Sequence, residues 1–210
     1  NNIGNVLLKL GEFQKAISHY QKAIQIQPHY ADAHNNLGSM LKMSGKFEEA
    51  MQTFQKIIQT HPNYAAAHNN LGTVLIELNE NKKAMTCFQK AIEINPNYAF
   101  AYTNLGVVFK ELKEFQKSKN ALQHAIKLDP NSAEPHNNLG NTFRDSGKYA
   151  EALAHYQKAI LINPNYGKAI HNLANLLKIA LVGNLNQTNS ASLKESMLIL
   201  FRRNDVDHRA

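Results

Sequence analysis

Asparagine recurs in this chain at a spacing that could do chemistry. Asn2, Asn36, Asn70, Asn104, Asn138 and Asn172 follow one another every 34 residues without a gap, and Asn5, Asn141 and Asn175 lie three residues beyond three of them. A side-chain amide is a peptide group in miniature, with two N–H donors and a carbonyl acceptor, so it can bond both the N–H and the C=O of another backbone. If each Asn sits on its own packed helix, roughly 9 to 10 Å from the next, and an extended chain advances about 3.3 Å per residue, one Asn addresses about every third residue of a bound peptide. Such a ladder would grip polypeptide with little regard to its sequence. The same amides could instead bond neighbouring groups inside the protein and stabilise it, and the sequence leaves both readings standing. The candidate peptide-binding residues are Asn2, Asn36, Asn70, Asn104, Asn138, Asn172, Asn141 and Asn175.

Other chemistry finds less support. Ten histidines invite a metal site, but His34, His68 and His136 fall on successive units, roughly 8 to 10 Å apart if those pack as helices, whereas zinc ligands sit about 2 Å from one ion. There is no H-x-x-x-H and no C-x-x-C, so the expectation is no metal and no cofactor, with the three rings packing at the start of their helices. Cys87 is the single cysteine and no base is placed beside it. The chain also lacks a Gly-rich phosphate loop, a G-x-S-x-G elbow and a carboxylate pair in a recognisable catalytic setting, and reads as non-enzymatic. Glu48 and Glu49 belong to a first helical turn, where negative charge suits the helix dipole.

The asparagines must be positioned by a repeated element. The stretch from His34 to Tyr64 is copied from His68, Tyr102, His136 and Ile170, each 34 residues after the last, and such a period marks a stacked-repeat protein. Within the unit, His34, Leu37, Gly38 and Leu41 form one helical stripe that Gly45 ends by accepting positive φ. Phe47, Ala50, Phe54, Ile57 and Ile58 form a second, ended by Pro62. The unit is a helix hairpin. Gly4, Gly38, Gly72, Gly106 and Gly140 sit inside first helices at a cost of roughly 1 kcal/mol each against alanine, so the helices must approach closely there. Ala16, Ala50, Ala84 and Ala152 make a second small row, and Tyr20, Phe54, Phe88 and Tyr156 supply the bulk between. Leu71, Leu75, Ala84, Phe88, Ala91 and Ile92 represent the expected core.

These residues resemble the tetratricopeptide repeat family, whose Leu-Gly, Ala-x-x-x-Phe and Pro landmarks stand here as Leu71, Gly72, Ala84, Phe88, Pro96 and as Leu139, Gly140, Ala152, Tyr156, Pro164. Departures are local: no Trp opens a repeat, Lys113 and Ser118 replace the usual Gly and Ala, and Ile57 stands in an Ala row. The resemblance implies an all-α, right-handed superhelical solenoid of stacked helix-turn-helix hairpins. The wording AHNNLG is most similar to the repeat arm of O-linked GlcNAc transferases and related bacterial fusions, which implies a concave surface holding protein substrates. Two functions follow, a protein- or peptide-binding scaffold with an Asn-lined groove, or the substrate-recognition arm of a glycosyl-, methyl- or sulfotransferase whose catalytic domain lies outside this chain.

The expected organisation is a solenoid over 1–182 (a partial repeat 1–30, repeats 31–64, 65–98, 99–132 and 133–166, a half repeat 167–182), a linker over 183–192, and an amphipathic helix and tail over 193–210 that either caps the stack or opens a further domain. Asn1 aligns with Asn35 inside a first helix, which suggests a fragment preceded by more repeats, with exposed repeat ends available for self-association. A net charge of +7 raises nucleic acid as a partner. Lys22, Lys56, Lys90 and Lys158 share one row of the second helices without the aromatic interleaving of single-strand binders, so a solvated outer face is the better reading. A chaperone-tail clamp is disfavoured because Glu77, Glu111, Glu134 and Asp145 join the inward rows. No apolar run spans a bilayer, and one cysteine fits a cytoplasmic protein.

Overall fold

The structure, a computed structural model, describes residues 1–182 and Leu198. The linker and amphipathic helix expected beyond residue 182 lie outside the described residues. Among those described there are eleven helices and no strand: α1 (Asn2–Lys9), α2 (Phe13–Ile26), α3 (Ala31–Met43), α4 (Phe47–Thr60), α5 (Ala65–Glu77), α6 (Asn81–Ile94), α7 (Ala99–Glu111), α8 (Phe115–Leu128), α9 (Ala133–Asp145), α10 (Tyr149–Ile162) and α11 (Gly167–Val182). The chain forms two compact units, Asn1–Asn104 and the part from Leu105 on, with the boundary inside α7.

In the first unit α1 packs on α2, α2 on α3, α3 on α4, α4 on α5 and α5 on α6, and α3 also meets α5. In the second unit α8 packs on α9, α9 on α10 and α10 on α11, while α9 also meets α11. The first helices of successive hairpins are thus neighbours, which brings equivalent residues side by side.

Turn chemistry sets these boundaries. Gly11, Gly45 and Gly147 have φ of +75°, +74° and +78°. Around Gly45 the Lys46 N–H reaches the Leu41 carbonyl at 2.9 Å, the bond that closes a helix through a left-handed residue. Asn79 and Lys113 hold the same place with φ of 60°, and for lysine that conformation costs roughly 1 to 2 kcal/mol. At the other boundary His61, ahead of Pro62, has φ −136° and ψ 72°, outside the helical region that a following proline disfavours.

The close approach at glycine is present in every hairpin. A methyl group on Gly38 would lie 2.8 Å from Phe54 Cε1, on Gly72 2.6 Å from Phe88 Cε1, and on Gly140 2.6 Å from Tyr156 Cε1. At Gly106 the neighbour is Leu122, whose Cγ would be 2.6 Å away. The facing rings Tyr20, Phe54, Phe88 and Tyr156 are fully buried, each worth roughly 1.5 to 3 kcal/mol of burial. Ser118, in the alanine row, is also fully buried; its hydroxyl donates to the Gly106 carbonyl at 2.8 Å and lies 2.9 Å from Thr142 Oγ1.

Two core expectations need correction. Ile92, Leu37 and Leu41 are half-buried; Leu37 and Leu41 edge the groove between the second helices α2 and α4. Met40, Val74, Val108 and Thr142 are instead almost fully buried. Met40 packs with Ala16 and Tyr20 of the preceding hairpin, and Thr142 meets Ser118 of the hairpin before its own, so inter-repeat packing buries a row that the helical wheel of one isolated unit leaves unassigned.

Candidate functional site

In the first unit the ladder amides bond to one another across hairpins. Asn36 Nδ2 donates to Asn1 Oδ1 and Asn5 Oδ1, both at 3.0 Å. Asn70 Nδ2 donates to Asn35 Oδ1 and Asn104 Nδ2 to Asn69 Oδ1, both at 2.9 Å. Asn69 Nδ2 closes the run by donating to Asn70 Oδ1 at 3.3 Å. The path Asn104, Asn69, Asn70, Asn35 is therefore a chain of amides in which each donates to the next. Asn2 is exposed on α1, while Asn36, Asn70 and Asn104 are half-buried and Asn69 is 5% exposed.

The second unit repeats the arrangement. Asn172 Nδ2 donates to Asn137 Oδ1 at 2.9 Å, and Asn137 Nδ2 to Asn138 Oδ1 at 3.3 Å. Asn141 Oδ1 accepts from the phenol of Tyr156 at 2.8 Å, as Asn5 Oδ1 does from Tyr20 at the same distance. Asn137, Asn138, Asn141 and Asn172 line a groove of about 550 Å³ with Val107, Lys110, Gly167, Lys168 and His171. Asn138, Asn141 and Asn172 come together in that groove. Asn175 is not among its lining residues and sits 2.8 Å from His171 Nε2 on α11.

The row Asn35, Asn69 and Asn137, which accepts the ladder's hydrogen bonds, was not among the candidates. Its signal is the doubled asparagine in HNNLG. The second Asn of one hairpin bonds the first Asn of the hairpin before it, 35 residues earlier.

The cations on this face are largely engaged. Lys42 donates to Thr73 Oγ1 at 3.1 Å, and burial lowers its pKa against the opposing pull of Glu77. Lys110 pairs with Glu111 at 2.7 Å and lies 3.8 Å from Asp145. On the second helices Lys46 and Lys90 are likewise matched, by Glu49 at 3.0 Å and Glu93 at 2.8 Å, in exposed pairs worth little to stability.

A TPR repeat model matches residues 4–44 and 72–113, and tetratricopeptide repeat models match 31–64, 133–166 and 99–132. The chain belongs to the tetratricopeptide repeat (TPR) family. Among solved structures it is similar to a thermophilic TPR protein of Thermus thermophilus, at 22% identity and a TM-score of 0.76 over 84% of this chain and 96% of that one. YrrB, a TPR protein with an unusual peptide-binding site, shares 26% identity with a TM-score of 0.60 over 81% and 88%. MamA shares 26% with a TM-score of 0.63 over 79% and 97%. A search of the curated proteins finds no match.

The remaining chemistry-bearing side chains serve the TPR hairpins themselves. His34 and His68 place Nε2 at 2.8 and 2.9 Å from the carbonyls of Pro28 and Pro62, so each ring donates to the turn that ends the preceding repeat. His136 differs. Its Nδ1 lies 3.2 Å from His155 Nδ1, and His155 stacks on Phe143 with ring centroids 5.4 Å apart. Burial lowers both pKa values, that of His136 to about 4. Among the described residues no three His, Cys, Asp or Glu are grouped to hold a metal ion, and no helix is long and apolar enough to cross a membrane. Burial pushes the half-buried Cys87 thiol up to about 11, which keeps it protonated and poorly nucleophilic at neutral pH.

Proposed function

We propose that the protein is an interaction scaffold that binds extended polypeptide along its asparagine rows. The observation that carries this reading is the bonding state of the ladder. Asn70 and Asn104 each commit one N–H to the preceding hairpin, so a primary amide with two N–H groups keeps one to offer outward. The internal bond fixes the amide plane before a ligand arrives, which reduces the ordering cost of binding. In the second unit Asn138, Asn141 and Asn172 line one groove of about 550 Å³. The TPR family and the 26% identity with YrrB, described as having an unusual peptide-binding site, support the same class of partner.

The test is capture of a random extended peptide library by the wild-type chain and by a variant carrying Asn70→Ala, Asn104→Ala, Asn138→Ala and Asn172→Ala. Loss of about one bond at each of four sites, at roughly 0.5 to 1.5 kcal/mol per bond, should weaken capture at least tenfold. Undiminished capture by a folded variant overturns the ladder's role.

A further inference from the structure

We propose that the first unit takes a proline-rich segment of a partner protein in the polyproline II conformation, with a proline against each of Tyr30, Tyr64 and Tyr98. This rests on the reading that the amide rows bind polypeptide, and it specifies which polypeptide.

The three tyrosines hold one register position, each immediately before a first helix, and each is half-buried with part of its surface in solvent. The hydroxyls of Tyr30 and Tyr64 reach back to the preceding hairpin. Asn1 Nδ2 donates to Tyr30 OH at 3.2 Å, and Tyr64 OH donates to Asp32 Oδ1 at 2.5 Å. Asn1 also accepts from Asn36, so the ring row and the amide row are bonded neighbours. Beside Tyr98 the ring of Phe100 stands edge-on, centroids 6.3 Å apart at 82°, and is 61% exposed. The register position after Tyr98 is Ser132, which ends the stripe.

Spacing decides the ligand's conformation. Hairpins stack with first helices roughly 8 to 10 Å apart. A polyproline II helix turns once in three residues and advances about 9.3 Å in doing so, so one of its faces meets one ring per hairpin. A β-strand returns the same face every two residues, about 6.7 Å, and falls out of step at the second ring.

Hydrogen bonding points the same way. The carbonyls of Asn35, Asn69 and Asn70 already accept bonds within the stack, whereas Asn70 and Asn104 retain an N–H each. Each retained N–H can donate to a peptide carbonyl. A proline-rich segment lacks most of its N–H groups and presents carbonyls with no internal partner, and aromatic-lined grooves recognise such segments through the flat proline ring. Three rings one turn apart define a segment of about seven residues.

The experiment is fluorescence anisotropy with the full chain and three labelled probes: a twelve-residue peptide of repeating Pro-Pro-Ala, a proline-free Ser/Thr/Ala peptide of equal length, and an oligouridine, since rings beside amides can also stack bases. The wild type should bind the proline-rich peptide at least tenfold more tightly than either other probe. Phe100→Ala, and separately Tyr98→Leu, should reduce that preference at least threefold in variants whose circular dichroism shows them folded. Tyr98→Phe, which keeps the ring, should retain it. Equal affinity for the two peptides, still sensitive to the ladder asparagines, overturns this proposal and leaves the peptide-binding reading in place. Absence of binding to both peptides overturns both readings, and a preference for oligouridine overturns the proline-rich assignment.

Discussion

Asn69 offers a sharp test of whether the amide chain is energetically real. It is 5% exposed, accepts from Asn104 at 2.9 Å and donates to Asn70 at 3.3 Å. Asn69→Ala removes both bonds, one of them long, so at roughly 0.5 to 1.5 kcal/mol per bond the loss should be about 1 to 2 kcal/mol. For a chain of this size that is a fall in melting temperature of about 2 to 8 °C. Bonding to Asn104 is isolated by the double-mutant cycle with Asn104→Ala, where the coupling should be about 0.5 to 1.5 kcal/mol, read from urea unfolding followed by circular dichroism. The cycle also reports on function. A residue this buried has almost no surface to offer a ligand, yet its loss frees two ladder side chains, and re-immobilising each costs roughly 0.5 to 1.5 kcal/mol. Peptide affinity should therefore fall at least fivefold. Strictly additive stabilities would refute the amide chain, and an unchanged peptide Kd in Asn69→Ala would refute its role in orienting the ladder.

Gly106→Leu should destabilise by at least about 1 to 3 kcal/mol through overpacking against Leu122, visible as a lower melting temperature; an unchanged melt would mean the helices do not meet at that glycine. The folded pKa of His136 is depressed, so the unfolded chain binds the proton more readily, and stability present above about pH 6.5 is lost as pH falls toward about 4. Melts across that window should show the loss, and His136→Tyr, the residue found at the equivalent position 102, should flatten it. Cys87 should react with a neutral-pH thiol reagent far more slowly in the folded chain than in denaturant, measured by absorbance. If the exposed Ile3 and Val6 of α1 and Leu10 just after it support self-association, Val6→Glu should abolish any concentration dependence in sedimentation.

The hairpins were legible because each rests on a local rule. Gly45 permits positive φ, Pro62 ends a helix, and Gly38 leaves room for Phe54, all inside one 34-residue unit. What escaped is what depends on the neighbouring unit or on a particular partner. Met40 and Thr142 meet adjacent hairpins, so one unit's wheel cannot assign them. Asn35 gains its role only from stacking, which places it beside Asn70, the next repeat's ladder residue. The partner of Ser118 is the Gly106 carbonyl, and the pairing of His136 with His155 reflects a histidine that the equivalent Thr53 and Cys87 positions do not supply.

The two readings left open by the sequence, an amide that binds ligand and an amide that braces the stack, use different atoms of the same side chain. A primary amide has two N–H donors and two acceptor lone pairs, and the bond from Asn70 to Asn35 spends one donor. Deleting the side chain therefore weakens both roles, and loss of binding in a less stable ladder variant is expected on either account. The discriminating position is the accepting row. Removing Asn35 or Asn69 cuts the brace and leaves every outward N–H in place, so a ladder that only braces loses stability alone. A ladder that also binds loses affinity because its amides must then be ordered by the ligand. The ratio of the two losses, measured at Asn69 and at Asn70 in the same background, assigns each hydrogen bond to one role or the other.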